Sequence, residues 1–441
     1  MAFNTVDFSR REILKTLAAA GALTTVPGLG QLAFAAPGGA QDANGKILVV
    51  LFFRGGMDVL NFIGPSNDAV YIDARPADLR LLDSGDKAGI PLDSDLAHGV
   101  DFRLHPEAAA LHELYRQGDL AIVHATGLAN ATRSHFEAQE LMERGLADEP
   151  KGNGALGTEG GWVARLLRQM GGDGELVAIS TAGGVPKLLQ GYPEALSIPD
   201  LRGGFGLPGG PSTQAVLERL YPTGQATGGT ANVATLNVAR GGRVALDAAL
   251  RLNAALPKGP DGKVLPYQPE HGGAFDGDVG RSLETVARLI RMDAGLKVAC
   301  VDMGGWDTHE GQSGRFKSLV HQLSGSLSTF WNDLSAYHDR ITLVTISEFG
   351  RRLRANRSGG TDHGHGSLMM VMGGGVAGGR LLGRWPGLQP QDLDERVDLA
   401  VTTDYRDVLT SVLKHRMGVG QVDGVFPGFH PGGGDPALFK A

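Results

Sequence analysis

The sequence predicts an α/β fold: a single large domain at 36–441, with a mostly parallel central sheet between layers of helices and a glycine-rich insertion at about 181–280. Three observations predict it. Two continuously apolar, β-branched runs, KILVVLFF at 46–53 and ITLVTI at 341–346, have the character of strands buried on both faces. Strand-like runs alternate with segments of helical spacing along most of the chain, the pattern of βαβ units. At 441 residues the chain is long enough to bury one such core.

Residues 1–35 stand apart from that domain. Ser9-Arg10-Arg11-Glu12-Ile13-Leu14-Lys15 precedes a mild apolar stretch, LAAAGALTTVPGLG, and then Ala33-Phe34-Ala35, a small-x-small cleavage site. Paired arginines ahead of a weakly hydrophobic segment form a twin-arginine export signal, read by a translocase that carries folded proteins. An amphipathic helix with two surface arginines would not explain the AFA site or the glycine and proline that break the apolar run. The expected product is periplasmic or secreted, with the translocase as its partner during export. Cleavage after Ala35 removes three cations and two anions, taking the net charge from −7 to −8. A mildly acidic chain without a basic stripe argues against a nucleic-acid partner. No later stretch reaches the roughly 18 consecutive apolar residues that span a bilayer, so no membrane span is expected in the mature protein. The lone cysteine, Cys300 in VACVD, reads as a small core residue. The 67 glycines exceed the background of roughly 7% and lie in loops without a period, which implies long irregular connections.

The elements follow in order. The strand at 46–53 ends in Arg54-Gly55-Gly56-Met57-Asp58, and the Pro/Asp/Gly-rich segment 65–103 reads as an excursion with little regular structure. A helix is expected at 105–117, with Pro106 near its start and Gly118 after it. A strand at 120–125, a helix from about Ser134 to Arg144 ended by Gly145, a helix at 161–170 and a strand at 176–180 come next. The insertion alternates runs such as GGFGLPGGPS with helical pieces at 213–220 and 231–256 and is read as a cap. A helix at 281–292, a strand at 296–302 and a long amphipathic helix at 313–337 lead to the strand at 341, and a helix at 404–417 comes late. No repeat of fixed period is visible.

Chemistry gathers at the strand ends. Asp58 follows the first strand, Asp307 and His309 follow the strand at 296–302, Glu348 follows ITLVTI, and Asp362, His363 and His365 lie in the loop beyond. In open α/β sheets ligands bind past the carboxyl ends of parallel strands. Carboxylate and imidazole together suit a divalent metal ion, Zn²⁺, Mn²⁺, Mg²⁺ or Ca²⁺. The same carboxylates would equally serve as helix caps or as partners of Arg54, Arg351 and Arg352. A nucleophile candidate lies in Thr132-Arg133-Ser134-His135-Phe136-Glu137, where Ser134 and Glu137 also have the spacing of a capping box. A hydroxyl at a helix N-terminus sits where backbone N–H groups favour an anion, and a nearby cation would activate it. Thr132 is a substitute candidate, and His135 is either a surface side chain or a substrate contact. Arg54 and Arg133 would clamp an oxyanion or sit in salt bridges.

The twin-arginine leader, LVVLFFRGGMDVLN, SHFEAQELMERG, GGWDTH, TISEFGRR, GTDHGHGS followed by MVMGGGVAGG, and TTDYRDVLTSVL together resemble the exported domain of unknown function family fifteen-oh-one. That family is similar to the alkaline phosphatase and sulfatase superfamily. The resemblance implies a three-layer alkaline-phosphatase-like sandwich with metal ions at the strand ends. It matches Asp58 to the first metal-binding aspartate and Ser134 to the nucleophile that begins the following helix. Asp307 and His309 match a mid-chain pair on one metal, and His363 or His365 a late histidine completing that site. The sequence departs from the pattern where Glu348-Phe349 replaces an aspartate–histidine pair, where 307–309 is more closely spaced, and where the sulfatase Cys/Ser-x-Pro-x-Arg signature is missing.

The function expected from these readings is that of an exported metal-dependent hydrolase of small phosphate or sulfate esters. Ser134 would attack, with His135 and Arg54 beside it, and Asp58, Asp307, His309, Glu348 and His363 would hold the cation. Asp362 or His365 would orient the ligands. The alternative is a non-catalytic binding or assembly protein with a degenerate metal site that holds a glycan or partner protein through the cap; Glu348-Phe349 favours it. A carbohydrate oxidoreductase fits poorly, because no GxGxxG follows the first strand.

Overall fold

The computed structural model describes residues 45–148, 160–171, 176–205, 210–221, 233–432 and 436–440. The leader expected at 1–35 lies outside them. In chain order the strands are β1 (Ile47–Phe53), β2 (Ile63–Pro65), β3 (Ile90–Pro91), β4 (Phe102–Leu104), β5 (Leu120–Gly127), β6 (Ala178–Ser180), β7 (Leu196–Ser197), β8 (Val298–Met303), β9 (Ile341–Ser347), β10 (Arg351–Ala355), β11 (Thr361–His363), β12 (Ser367–Gly373), β13 (Arg380–Gly383) and β14 (Thr403–Asp404). The α-helices are α1 (Val59–Phe62), α2 (Ala69–Ala74), α3 (Ala109–Gln117), α4 (His135–Arg144), α5 (Trp162–Met170), α6 (Pro211–Leu220), α7 (Val233–Ala255), α8 (Gly277–Arg291), α9 (Gln312–Asp333) and α10 (Tyr405–Met417).

Every side chain of β1 is apolar and buried, because the strand is covered on both faces. Ile47, Val49, Leu51 and Phe53 enter one core, with α3, α8 and α9; Leu48, Val50 and Phe52 enter the other, with α4, α5 and α10. The result is three layers around a nine-stranded sheet in the order β13-β5-β12-β9-β1-β8-β6-β7, with β14 beside β5. Most pairings are parallel; β12 runs antiparallel to both β5 and β9. Phe53 is level with Met303 on one side and Ser347 on the other, so β1, β8 and β9 deliver their following loops to one edge. Cys300 is buried in β8, as its apolar context implied.

Three local expectations are corrected. The excursion at 65–103 contains α2 and, with Ile63–Pro65, a small sheet in the order β2-β4-β3. The loop expected to carry Asp362 and His363 is the antiparallel hairpin β10–β11, in which Arg351 pairs with His363. The region read as a cap is not wholly outside the sheet, since β7 pairs with β6 at its edge. Helices α6 and α7 meet through Leu217, Tyr221 and Leu246, while Leu252 and Leu256 of α7 join the larger core. Among the described residues, no helix is long and apolar enough to cross a membrane.

The turn after β1 requires glycine. Gly55 has φ +117°, and a Cβ there would sit 2.4 Å from the backbone nitrogen of Asp307. Gly55→Ala is expected to destabilise the protein by roughly 1–3 kcal/mol. Gly184→Ala, whose Cβ meets nothing within 4 Å, should stay within about 0.5 kcal/mol. Urea unfolding of the two variants decides; equal midpoints would refute the close approach.

Candidate functional site

Four loops meet at the carboxyl edge of the sheet. After β8, Trp306 is fully buried against Phe53 and Phe316, with ring centroids 5.3 and 5.4 Å away, and this anchors Asp307 at the rim. Arg351, also fully buried, binds the loops to one another. Its Nε donates to Gly56 O at 2.7 Å, Nη1 to Thr361 O at 2.8 Å, and Nη2 to Trp306 O at 3.1 Å, to Gly55 O and to Asp307 Oδ1 at 2.6 Å. His135 enters from the first turn of α4, and Phe349 packs on the rings of both His135 and His363 at 4.8 Å.

Three imidazoles converge on one carboxylate oxygen. Asp307 Oδ1 lies 3.0 Å from His309 Nε2, 3.2 Å from His363 Nε2 and 3.5 Å from His135 Nε2. The Nε2 atoms of His309 and His363 are 2.9 Å apart. Ligand atoms of His135, Asp307 and His363 all lie within 4.8 Å of one another. Each Nδ1 faces an acceptor on the outside: Glu348 Oε1 at 2.9 Å for His135, Asp362 Oδ1 at 3.2 Å for His309, and the carbonyl of Arg133 at 2.9 Å for His363. With each Nδ1 paired outward, the Nε2 atoms of all three rings face Asp307 Oδ1. His135 Nε2 is buried and has no hydrogen-bond partner.

The charges fit this arrangement. Burial works against ionising Asp307, but the Arg351 hydrogen bond and charge, with help from His363 and His309, outweigh it and bring the carboxyl down to about 2. Burial likewise opposes ionising Glu348, and the hydrogen bonds from His135, Gln139 and the Gly55 N–H hold its pKa below the usual value. The Glu348 hydrogen bond raises His135, whereas burial lowers His363. The hydrogen bond from Asn356, with that from His309, lowers Asp362.

The structure thus brings together His135, Asp307, His309 and His363, with Asp362 and Glu348 behind two of the rings. Other expectations are corrected. Asp58 is not among the converging atoms: it is fully buried, caps α1, and is held by Arg75 through contacts of 2.8 and 2.9 Å, with Gln312 Nε2 donating at 2.6 Å. Arg75 thus takes both Asp58 oxygens, whereas Arg351 takes only Oδ1 of Asp307. Glu348 is turned to the back of the cluster: Oε1 contacts Gly55 N, His135 Nδ1 and Gln139 Nε2, and Oε2 accepts from Ser347 Oγ at 3.5 Å. His365 faces elsewhere, with Nδ1 on Asp394 at 3.0 Å and Nε2 on the Leu128 carbonyl at 2.9 Å. Arg54 is spent on Glu143, Asp302 and Gln139, and Arg133 on Asp398 and Glu395, so neither is an oxyanion clamp. Ser134 is an exposed N-cap whose Oγ accepts from the Glu137 N–H at 3.5 Å, and it makes no hydrogen bond to the cluster. Thr132 Oγ1 donates to Glu137 at 2.7 Å.

Sequence reasoning missed Arg75, Gln139 and the central role of Arg351. Gln139 was within reach, since it lies four residues after His135 on one helix face. Arg75 carried no local signal; it reaches Asp58 across 17 positions through the fold.

A family model described as "Protein of unknown function (DUF1501)" matches residues 270–425. No curated protein matches the chain. Among solved structures, the C-terminal periplasmic domain of EcEptC from Escherichia coli in complex with Zn is similar at 8% identity and TM-score 0.36, covering 85% of this chain and 82% of that one. A second structure of that domain matches at 10% identity and TM-score 0.34, covering 88% of each chain. A protein in the alkaline phosphatase superfamily from Vibrio parahaemolyticus matches at 13% and 0.30, covering 83% and 69%. At these scores the reading of the site rests on its own geometry.

Asp58 and Arg75 have side chains that are wholly buried. Arg75→Ala or Asp58→Ala should therefore cost about 3–5 kcal/mol, whereas replacing both with apolar residues of similar volume should recover most of it. Chemical denaturation of the three variants tests this; additive losses would show that the two groups do not act as a pair.

Proposed function

We propose that His135, Asp307, His309 and His363 bind one divalent ion of borderline hardness and that the protein, acting outside the cytoplasm, hydrolyses phosphate or sulfate esters with it. The observation that carries this reading is the convergence of three Nε2 atoms on Asp307, with each Nδ1 facing an acceptor on the outside. With the Nδ1 atoms protonated, the three Nε2 lone pairs would face the carboxylate, and a cation at their centre would hold them together. Nitrogen donors with one carboxylate favour Zn²⁺ or Mn²⁺ over Mg²⁺ or Ca²⁺, which prefer oxygen.

A bound ion would supply the Lewis acidity that polarises an ester oxygen and activates water. The chain's own residues do the rest. Glu348 and Asp362 hold the imidazoles of His135 and His309 in orientation, and the Arg133 carbonyl does so for His363. Arg351 keeps Asp307 ionised and aimed. Ser134 contributes by starting α4 and thereby delivering His135. The Ser9–Lys15 leader supports export by the twin-arginine route.

A second reading has its own support. With Ser134 capping a helix and Arg54 and Arg133 bound in ion pairs, the site is also consistent with a binding or assembly protein that holds the ion and recruits a glycan or partner chain.

Metal analysis of the purified protein should find about one Zn or Mn per chain, and His363→Ala or Asp307→Ala should remove it. Glu348→Gln should weaken binding by about 10–100-fold. A protein with no bound ion would sink both readings, whereas bound ion without turnover of aryl phosphate or sulfate would leave the second alone. Ser134→Ala should cost about 1 kcal/mol of stability as a lost cap and retain turnover; abolished turnover would return Ser134 to the role of nucleophile. For export, replacing Arg10 and Arg11 with lysine should leave uncleaved precursor in the cytoplasm on cell fractionation.

A further inference from the structure

The opposite edge of the sheet holds a separate cavity of about 570 Å³. Lys46 enters it from the start of β1, Lys297 from the start of β8, and His415 and Arg416 from the last turn of α10; the backbone of Gly418, Val419 and Gly420 closes one side. No aspartate or glutamate lines it. The three full cations are held by neutral acceptors. Lys46 Nζ donates to Asp339 O at 2.8 Å and Lys297 Nζ to Gly171 O at 3.2 Å. Arg416 donates from Nε to Thr342 Oγ1 at 2.9 Å and from Nη2 to Asp339 O at 2.6 Å. None of the three has a carboxylate within ion-pair distance among the described residues, although most other buried or half-buried arginines in the chain do.

Three cations crowd at a cavity whose lining holds no carboxylate; the Asp339 charge acts on Lys46 and Arg416 without an ion pair to either. Burial and the neighbouring Arg416 lower Lys46 and burial lowers Arg416, with the Asp339 charge opposing both shifts. Part of the Arg416 charge answers the negative end of α10, and Lys297, just before β8, answers that of α5 through the Gly171 carbonyl; Lys46, just before β1, bonds to the Asp339 carbonyl, which ends no helix.

We propose that this cavity binds a multiply charged oxyanion of the phosphate class, as a phosphorylated small molecule or as an anionic lipid headgroup. Its volume lies within the roughly 300–1,000 Å³ of small-molecule sites and exceeds what bare phosphate fills. Lys46 and Lys297 precede strands whose far ends carry the His/Asp cluster, so the two sites are separated by about 20 Å, the length of a strand. The cavity therefore does not depend on the metal reading.

Calorimetric titration of the full chain with inorganic pyrophosphate and with a hexose phosphate, and sedimentation with vesicles containing phosphatidylglycerol, test it. Wild-type protein should bind at least one probe, with affinity falling as salt is raised. Lys46→Gln combined with Lys297→Gln should weaken that binding at least tenfold while leaving the thermal unfolding midpoint and metal content unchanged, and His363→Ala should bind as wild type does. Binding to vesicles without binding to the soluble probes would assign the headgroup as the source, and the reverse a soluble ligand. The proposal is overturned if no probe binds, if the double variant binds as well as wild type, or if His363→Ala abolishes binding.

Discussion

The structure depends above all on the buried guanidinium of Arg351. One side chain satisfies the carbonyls of Gly55, Gly56, Trp306 and Thr361 and still holds Asp307. Loops at strand ends carry many unpaired carbonyls, and burying them without donors costs free energy. Arg351 supplies those donors at the place where the loops after β1 and β8 and the hairpin β10–β11 come together. The same geometry presents Asp307 to the imidazoles.

Around that hub, each ring of the cluster is held from behind. Glu348 takes three hydrogen bonds on one oxygen, Asp362 orients His309, and a backbone carbonyl orients His363. Groups of unlike sequence origin therefore hold the three rings with Nδ1 outward and Nε2 inward. Phe349 packs against both His135 and His363, whose rings also meet edge to face at 4.3 Å. The Asp58–Arg75 pair nearby is a separate device, a neutralised buried charge that secures the turn after β1 and the segment carrying α2.

The two edges of the sheet differ in electrostatic character. The carboxyl edge gathers carboxylates and imidazoles; the amino edge gathers Lys46, Lys297 and Arg416 without acidic partners lining their cavity. Parallel strands make that separation natural, because every β-to-α loop falls on one edge and every α-to-β loop on the other.

The sequence by itself determined the long central strands, most of the long helices and the edge where acidic and imidazole groups gather, but not the small sheet β2-β4-β3, α2 or the hairpin β10–β11. Unbroken apolar runs such as 47–53 and 341–347 can only be buried on both faces, and the polar residues that follow them must lie at strand ends. His309, His363 and Asp307 were legible for that reason. Tertiary structure alone decided how the acidic residues are engaged: Asp58 and Glu348 share the strand-end position of Asp307, but Arg75 takes both oxygens of the first and three donors crowd Oε1 of the second, while Asp307 meets Arg351 and the imidazoles. It also decided that His135 joins the cluster while Ser134 beside it faces solvent, because adjacent positions on a helix point about 100° apart. Spacing along a chain records periodicity. Whether a carboxylate is free depends on partners that arrive from 17 to some 290 residues away, and nothing local encodes them.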